Sequence, residues 1–145
     1  MRRKRSIALV IREPDGGGRW LLVQRPPNDE ELPDVWGLPA GTQRSGESVE
    51  ALVRRIGREK LGVDLEAGDR LAEGAADRAG YRLEMQLVEA RLVSGEITVG
   101  QGPETVTQYA DSAWKPPSAL AEGAGRGSLC CALGRQWAGG LSGTG

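Results

Sequence analysis

One stretch of the chain, residues 41–63, combines the residue types that could carry chemistry. Gly41 follows a Trp-Gly-Leu-Pro-Ala turn, Glu47 follows the next glycine, and a segment rich in Arg and Glu ends at a Leu-Gly-Val sequence. The chain contains no histidine, and its two cysteines, Cys130 and Cys131, are adjacent. A His-based mechanism and a zinc site built on spaced cysteines are therefore excluded. Any metal must be a hard ion bound by oxygen.

Residues 45–60 are predicted to form a helix that presents these charges. Ser48 can cap the helix or occupy its first turn, and Gly62 lies where a left-handed residue is expected to end it. Arg55 and Glu59 are four residues apart and can pair on one face. Gly57 in the interior should cost roughly 1 kcal/mol relative to alanine. Apolar residues recur at helical spacing along the segment: Val49, Leu52, Val53, Ile56 and Leu61.

Residues 41–63 resemble the Nudix box, in which a glycine, a glutamate and an Arg-Glu-rich helix follow at fixed spacing. Ile56 and Lys60 stand where the family has glutamates. The resemblance closely covers about a sixth of the chain. It implies an α/β fold, a Nudix-like α/β/α sandwich with a central mixed β-sheet. Six residues match the family pattern in register: Gly41, Glu47, Arg55, Glu59, Gly62 and Val63.

The resemblance also implies an activity, the hydrolysis of a nucleoside diphosphate linked to another moiety. Such a reaction needs charge neutralisation, which Mg²⁺ or Mn²⁺ held by carboxylates can supply. By the same resemblance, Glu59, Arg55 and Glu47 are the candidate catalytic residues. Glu59 and Glu47 are also candidate metal ligands, together with the carbonyl oxygen of Ala40. Relatives often add a later acid, for which two candidates stay open: Glu104 and Asp111.

Four further residues are candidates for binding the ligand. Gly41 would let backbone carbonyls of the turn approach the metal ions, and Lys60 could act as a point charge on phosphate. Arg25 could also bind phosphate, although a solvated surface arginine is the more common case. Trp36, at the mouth of the glycine turn, could stack on a base, although tryptophans more often belong to a core.

The two departures from the box weaken the prediction of catalysis. Ile56 removes one metal ligand, and Lys60 replaces a negative charge with a positive one. At ~4 Å from a cation this change is worth several kcal/mol in a partly shielded site. Mg²⁺ or Mn²⁺ is therefore expected to bind weakly or not at all. The leading hypothesis is a Nudix pyrophosphohydrolase of weak or atypical activity. The alternatives are a non-catalytic Nudix-fold module that binds a nucleotide or other phosphorylated ligand, and a diverged scaffold without a ligand.

Composition limits the remaining classes. At 145 residues the chain is expected to form a single domain over residues 1–138, followed by a flexible glycine-rich tail over 139–145. The formal net charge of −1 gives no field that favours nucleic acid or an anionic membrane. No segment approaches the ~20 apolar residues of a spanning helix. The cysteines fit a reducing compartment, so a cytoplasmic location is expected. A homodimer fits the family, although no segment marks an interface.

The remaining elements are predicted from alternation and turn residues. The basic residues 1–5 are interpreted as a solvated end that leads into the first strand. Residues 118–121 and 129–137 are predicted to be helical. Strands are predicted at residues 6–12, 20–24, 71–79, 81–92 and 97–99, with a short strand or extended segment at 36–38 and another strand within 105–114.

Overall fold

The computed structural model describes residues 2–103 and 107–143, without the side chains of 141–143. The helices are α1 (Val49–Ile56), α2 (Ala121–Gly125) and α3 (Leu129–Gly143). A π-helical turn, Gly57–Leu61, continues α1, and a 3₁₀ turn, Pro117–Leu120, precedes α2. The strands are β1 (Arg2–Val10), β2 (Trp20–Gln24), β3 (Trp36–Gly37), β4 (Ala40–Thr42), β5 (Asp64–Arg78), β6 (Tyr81–Ser94) and β7 (Asp111–Lys115).

The strands form two sheets. The larger sheet has the order β4-β1-β6-β5; β1 is parallel to β6, and the other pairs are antiparallel. The smaller sheet, β3-β2-β7, is antiparallel throughout. The predicted mixed sheet is thus confirmed.

The alternation of side chains along β1 explains why helices cover both faces of the larger sheet. Ile7 and Leu9 belong to a core cluster that includes the apolar face of α1. Ala8 and Val10 point the other way, into a cluster that includes residues of α3. Both faces of β1 are therefore covered, which is consistent with the uninterrupted run of apolar residues at 7–10. The α/β/α sandwich follows from this run.

Local signals define the ends of the box helix. The hydroxyl of Ser48 accepts a hydrogen bond from the Ala51 backbone N–H, as expected for an N-cap. Gly62 ends the helical segment with φ 67°, the predicted left-handed conformation. The helix widens into the π-helical turn at Gly57, where an added Cβ would lie 2.9 Å from the Leu65 side chain and the Val63 carbonyl. Gly57 therefore lets β5 pack directly against the helix.

Several elements differ from the expectations. The basic residues 2–5 belong to β1, because they pair in register with residues 81–84 of β6. Residues 97–99 form no strand. The strand predicted within residues 105–114 is β7, which begins at Asp111; residues 104–106 lie outside the described residues. Helix α3 extends to Gly143, into the segment where composition predicted a tail. Among the described residues, no helix is long and apolar enough to cross a membrane.

Candidate functional site

The Pro39–Gly41 turn forms one wall of the candidate site. β4 begins in this turn and pairs with β1, so that Ala40 lies opposite Ala8 and Gly41 opposite Ile7. An added Cβ at Gly41 would lie 2.9 Å from Cγ1 of Ile56. The glycine is therefore required by the close approach of α1 to β4, and Ile56, only 1% exposed, fills the space beneath it.

Arg55 lies at the centre of the acidic residues of the box. Its Nε and Nη2 donate to the two carboxylate oxygens of Glu47 at 2.8 and 2.9 Å. Nη2 also donates to the Thr42 carbonyl at 2.8 Å, and Nη1 lies 3.5 Å from Oε1 of Glu59. The hydrogen bonds from Arg55, aided by the Arg44 backbone N–H, lower the pKa of Glu47 to about 2. Arg55 thus fixes the loop to the helix. It also neutralises the negative charge of the carboxylates that a metal ion would need as ligands.

Lys60 reaches the turn itself. Its Nζ donates to the carbonyl oxygen of Ala40 at 2.6 Å, and it lies 5.3 Å from the centre of the Tyr109 ring. Burial lowers the pKa of Lys60 to about 8, and the positive charges of Arg55 and Arg25 act in the same direction. The carbonyl oxygen of Ala40, which was predicted to bind a metal ion, thus binds the ammonium group of Lys60 instead.

Gln108 and Tyr109 complete the site, and sequence analysis identified neither of them. The Tyr109 hydroxyl accepts from the Ala40 N–H at 3.0 Å and donates to the Ala40 carbonyl at 3.2 Å. The Gln108 amide nitrogen donates to the carbonyls of Glu59 and Pro103 at 3.2 and 3.1 Å. These contacts join segments 49 and 69 residues apart, and no local pattern could have predicted them.

The remaining candidates are Arg25, Trp36, Asp111 and Glu104, of which Arg25 lies close enough for its charge to lower the pKa of Lys60. Arg25 pairs with Asp29 at 3.2 Å, and Lys115 lies 4.4 Å from the centre of the Trp36 ring, so a cation already covers one face of that indole. Asp111 is exposed at the start of β7, where it accepts from the Ser112 N–H. Glu104 lies outside the described residues.

The residues of the described site do not fit a divalent metal centre. Both oxygens of Glu47 bind Arg55, and the Ala40 carbonyl accepts from Lys60. Among residues 2–103 and 107–143, no three Asp, Glu or Cys side chains come together in a geometry that could hold a metal. Oε1 of Glu59 is buried without a hydrogen-bond partner, although it lies 3.5 Å from Nη1 of Arg55 in an ion pair.

The sandwich and its loop–helix site define the class to which the chain belongs. The NUDIX domain matches residues 2–128, and the protein is a member of the NUDIX family. Members of this family are typically pyrophosphohydrolases and generally use Mg²⁺ or Mn²⁺. A search of curated protein sequences finds no match.

Solved structures support the same fold. The MutT NUDIX hydrolase from Burkholderia pseudomallei is 26% identical, with a TM-score of 0.66 over 81% of this chain and 86% of that one. The E. coli ORF135 protein is 22% identical, with a TM-score of 0.64 over 83% and 79%. An ADP-ribose pyrophosphatase from Streptococcus suis is 23% identical, with a TM-score of 0.58 over 79% and 75%. At these identities the likeness concerns the fold and leaves the substrate open.

Proposed function

We propose that the protein is a Nudix-fold module that binds a nucleotide or another diphosphate-containing ligand at the box without hydrolysing it by the metal-dependent route. The observation that carries this proposal is the hydrogen bond from Lys60 to the Ala40 carbonyl. A cation bound at that oxygen would lie next to a fixed positive charge, which at ~4 Å opposes binding by several kcal/mol in a partly shielded site.

The charges around the turn support a site for an anion. Arg55 is paired with Glu47 and Glu59, and Arg25 with Asp29. Lys60 forms no such ion pair among the described residues, so its ammonium group remains available to an anion. Diphosphate groups are bound in proteins by such cations and by backbone N–H groups. The fold of the relatives, some of which are named for nucleotide-type substrates, supports the same class of ligand.

A second function, metal-dependent hydrolysis, is favoured by one specific observation. Oε1 of Glu59 is buried without a hydrogen-bond partner, and such an atom could accept a water bound to Mg²⁺ or Mn²⁺. In that case a single ion would bind through Glu59, substrate phosphates and waters. Activity would then be weak and would require a high concentration of the ion.

Calorimetry and turnover assays on the full chain distinguish the two functions. ADP-ribose and a panel of nucleoside di- and triphosphates are titrated in EDTA and in Mn²⁺, and product release is followed at high protein concentration. The Burkholderia MutT protein serves to validate the assay conditions. Binding that is equal in EDTA and Mn²⁺, without turnover, is the expected result. Turnover in Mn²⁺ that Glu59→Gln abolishes would establish the hydrolase instead.

A further inference from the structure

The ammonium group of Lys60 is held in an unusual position for a lysine on a charged helix. In residues 2–103 and 107–143, its polar contacts are the Ala40 carbonyl and the face of the Tyr109 ring, and no carboxylate forms an ion pair with it. An ammonium has three N–H donors, and the Ala40 carbonyl uses one of them. The remaining donors can be directed at a ligand.

Tyr109 fixes the peptide group on which Lys60 rests. The hydroxyl contacts both the N–H and the carbonyl of Ala40, and the ring is 8% exposed. The same ring lies beside the ammonium, where its π-face attracts a cation. Because one side chain holds both the carbonyl and the cation, Tyr109 is a positioning residue for Lys60.

The backbone of the helical segment around Lys60 also helps to hold this residue near the Pro39–Gly41 turn. Lys60 lies in the π-helical turn Gly57–Leu61. Gly62, which ends this turn, donates its backbone N–H to the Gly57 carbonyl, five residues earlier. The Glu59 carbonyl is fixed from the other side by Gln108. Both ends of the Lys60 side chain are therefore anchored, which lowers the entropy lost when it binds a ligand.

We infer that Lys60, positioned by Tyr109, is a tethered cation that takes the place of the divalent ion and binds the ligand's phosphate groups directly. This inference rests on the proposed function, because it assumes a diphosphate-containing ligand at the box. Terminal phosphate or pyrophosphate groups are the chemical class that the site recognises. The ammonium excludes Mg²⁺ and Mn²⁺ by occupying the carbonyl and by repulsion.

The first test measures the binding of inorganic pyrophosphate in EDTA by calorimetry, with the full chain. Lys60→Met should weaken binding by about tenfold or more, since a charge-assisted hydrogen bond is lost. Arg58→Met is the matched control, because Arg58 lies two residues before Lys60, is exposed, and forms its ion pair with Asp64 at 3.5 Å. Its effect should stay within about twofold. If Lys60→Met does not fold, Lys60→Gln replaces it, because the amide can still donate to Ala40.

The second test asks whether the tethered cation keeps metals out. Lys60→Glu should create Mn²⁺ binding, detected by electron paramagnetic resonance, where the natural chain shows none. Tyr109→Phe should weaken pyrophosphate binding severalfold in the natural chain but cause no further loss in Lys60→Met. A purely structural role would weaken both backgrounds equally.

The outcomes separate this inference from the proposed function. Ligand binding in EDTA that survives Lys60→Met would overturn the tethered cation and leave the binding module standing. Pyrophosphate binding only in Mn²⁺ would also overturn it. Failure of pyrophosphate and of every nucleotide in the panel to bind under any condition would overturn the proposed function itself.

Discussion

The ion pair between Glu47 and Arg55 offers a quantitative test of how the box is held together. The pKa of Glu47 falls from 4.5 to about 2, chiefly because of the hydrogen bonds from Arg55. Each pKa unit corresponds to about 1.4 kcal/mol, which gives roughly 3 kcal/mol for the full shift. Contact with solvent screens part of this interaction. We therefore expect Glu47→Gln to lower the free energy of unfolding by about 2 kcal/mol at pH 7.

The pH dependence of this difference follows from its sign. The pKa of Glu47 is lower in the folded state than in the unfolded state, so its carboxylate stabilises the fold above pH 4.5. That contribution is lost as the pH falls from 4.5 to about 2. Urea unfolding, followed by the fluorescence of the four tryptophans, should show a difference between Glu47→Gln and the natural chain that shrinks over this range.

Glu66→Gln is the matched control for this measurement. Glu66 forms a 2.9 Å ion pair with Arg91, but the two side chains are 61% and 69% exposed, against 13% and 16% for Glu47 and Arg55. An exposed pair of this kind contributes about 0.5 kcal/mol or less. Equal effects of the two substitutions, or a Glu47→Gln effect that does not change with pH, would refute the stabilising role of the pair.

Three further substitutions test the packing of the site. Ile56→Glu should destabilise the fold by several kcal/mol, because it places a carboxylate in the core at a residue that is 1% exposed; thermal unfolding measures this, and an unchanged Tm would contradict it. Tyr109→Phe should cost about 1–2 kcal/mol in urea unfolding by leaving the Ala40 N–H without its partner; a neutral result would show that water replaces the hydroxyl. Gly41→Ala should cost about 1–3 kcal/mol, because the new Cβ meets Ile56; stability equal to that of the natural chain would show that α1 can shift.

The sequence predicts the parts of the fold that local chemistry specifies. Ser48 and Gly62 mark the ends of the box helix, and both adopt the predicted conformations. These features depend on hydrogen bonds or packing within a few residues, so that they leave a pattern in the chain.

Features that depend on distant partners leave no such pattern. β4 has only three residues and exists because β1 supplies its hydrogen-bonding partner. The basic residues at the start of β1 form strand because β6 runs beside them. Tyr109 is 69 residues from Ala40, and its role depends on two hydrogen bonds of its hydroxyl with that residue. The candidate site is therefore less predictable than the fold, since its geometry comes from three separate segments.

The two departures from the box belong together physically. With an acid at residue 56, the surface beneath Gly41 would have to admit water or a metal, whereas the isoleucine seals it with apolar contacts. With an acid at residue 60, the Ala40 carbonyl would face another negative group and need a cation between them; the lysine supplies that cation covalently. The two substitutions are compatible with each other. The buried Ile56 offers no ligand to a metal ion, and the Lys60 ammonium group supplies the positive charge at the Ala40 carbonyl. A Lys60→Glu variant should therefore bind Mn²⁺ without any change at residue 56, and an Ile56→Glu variant should not.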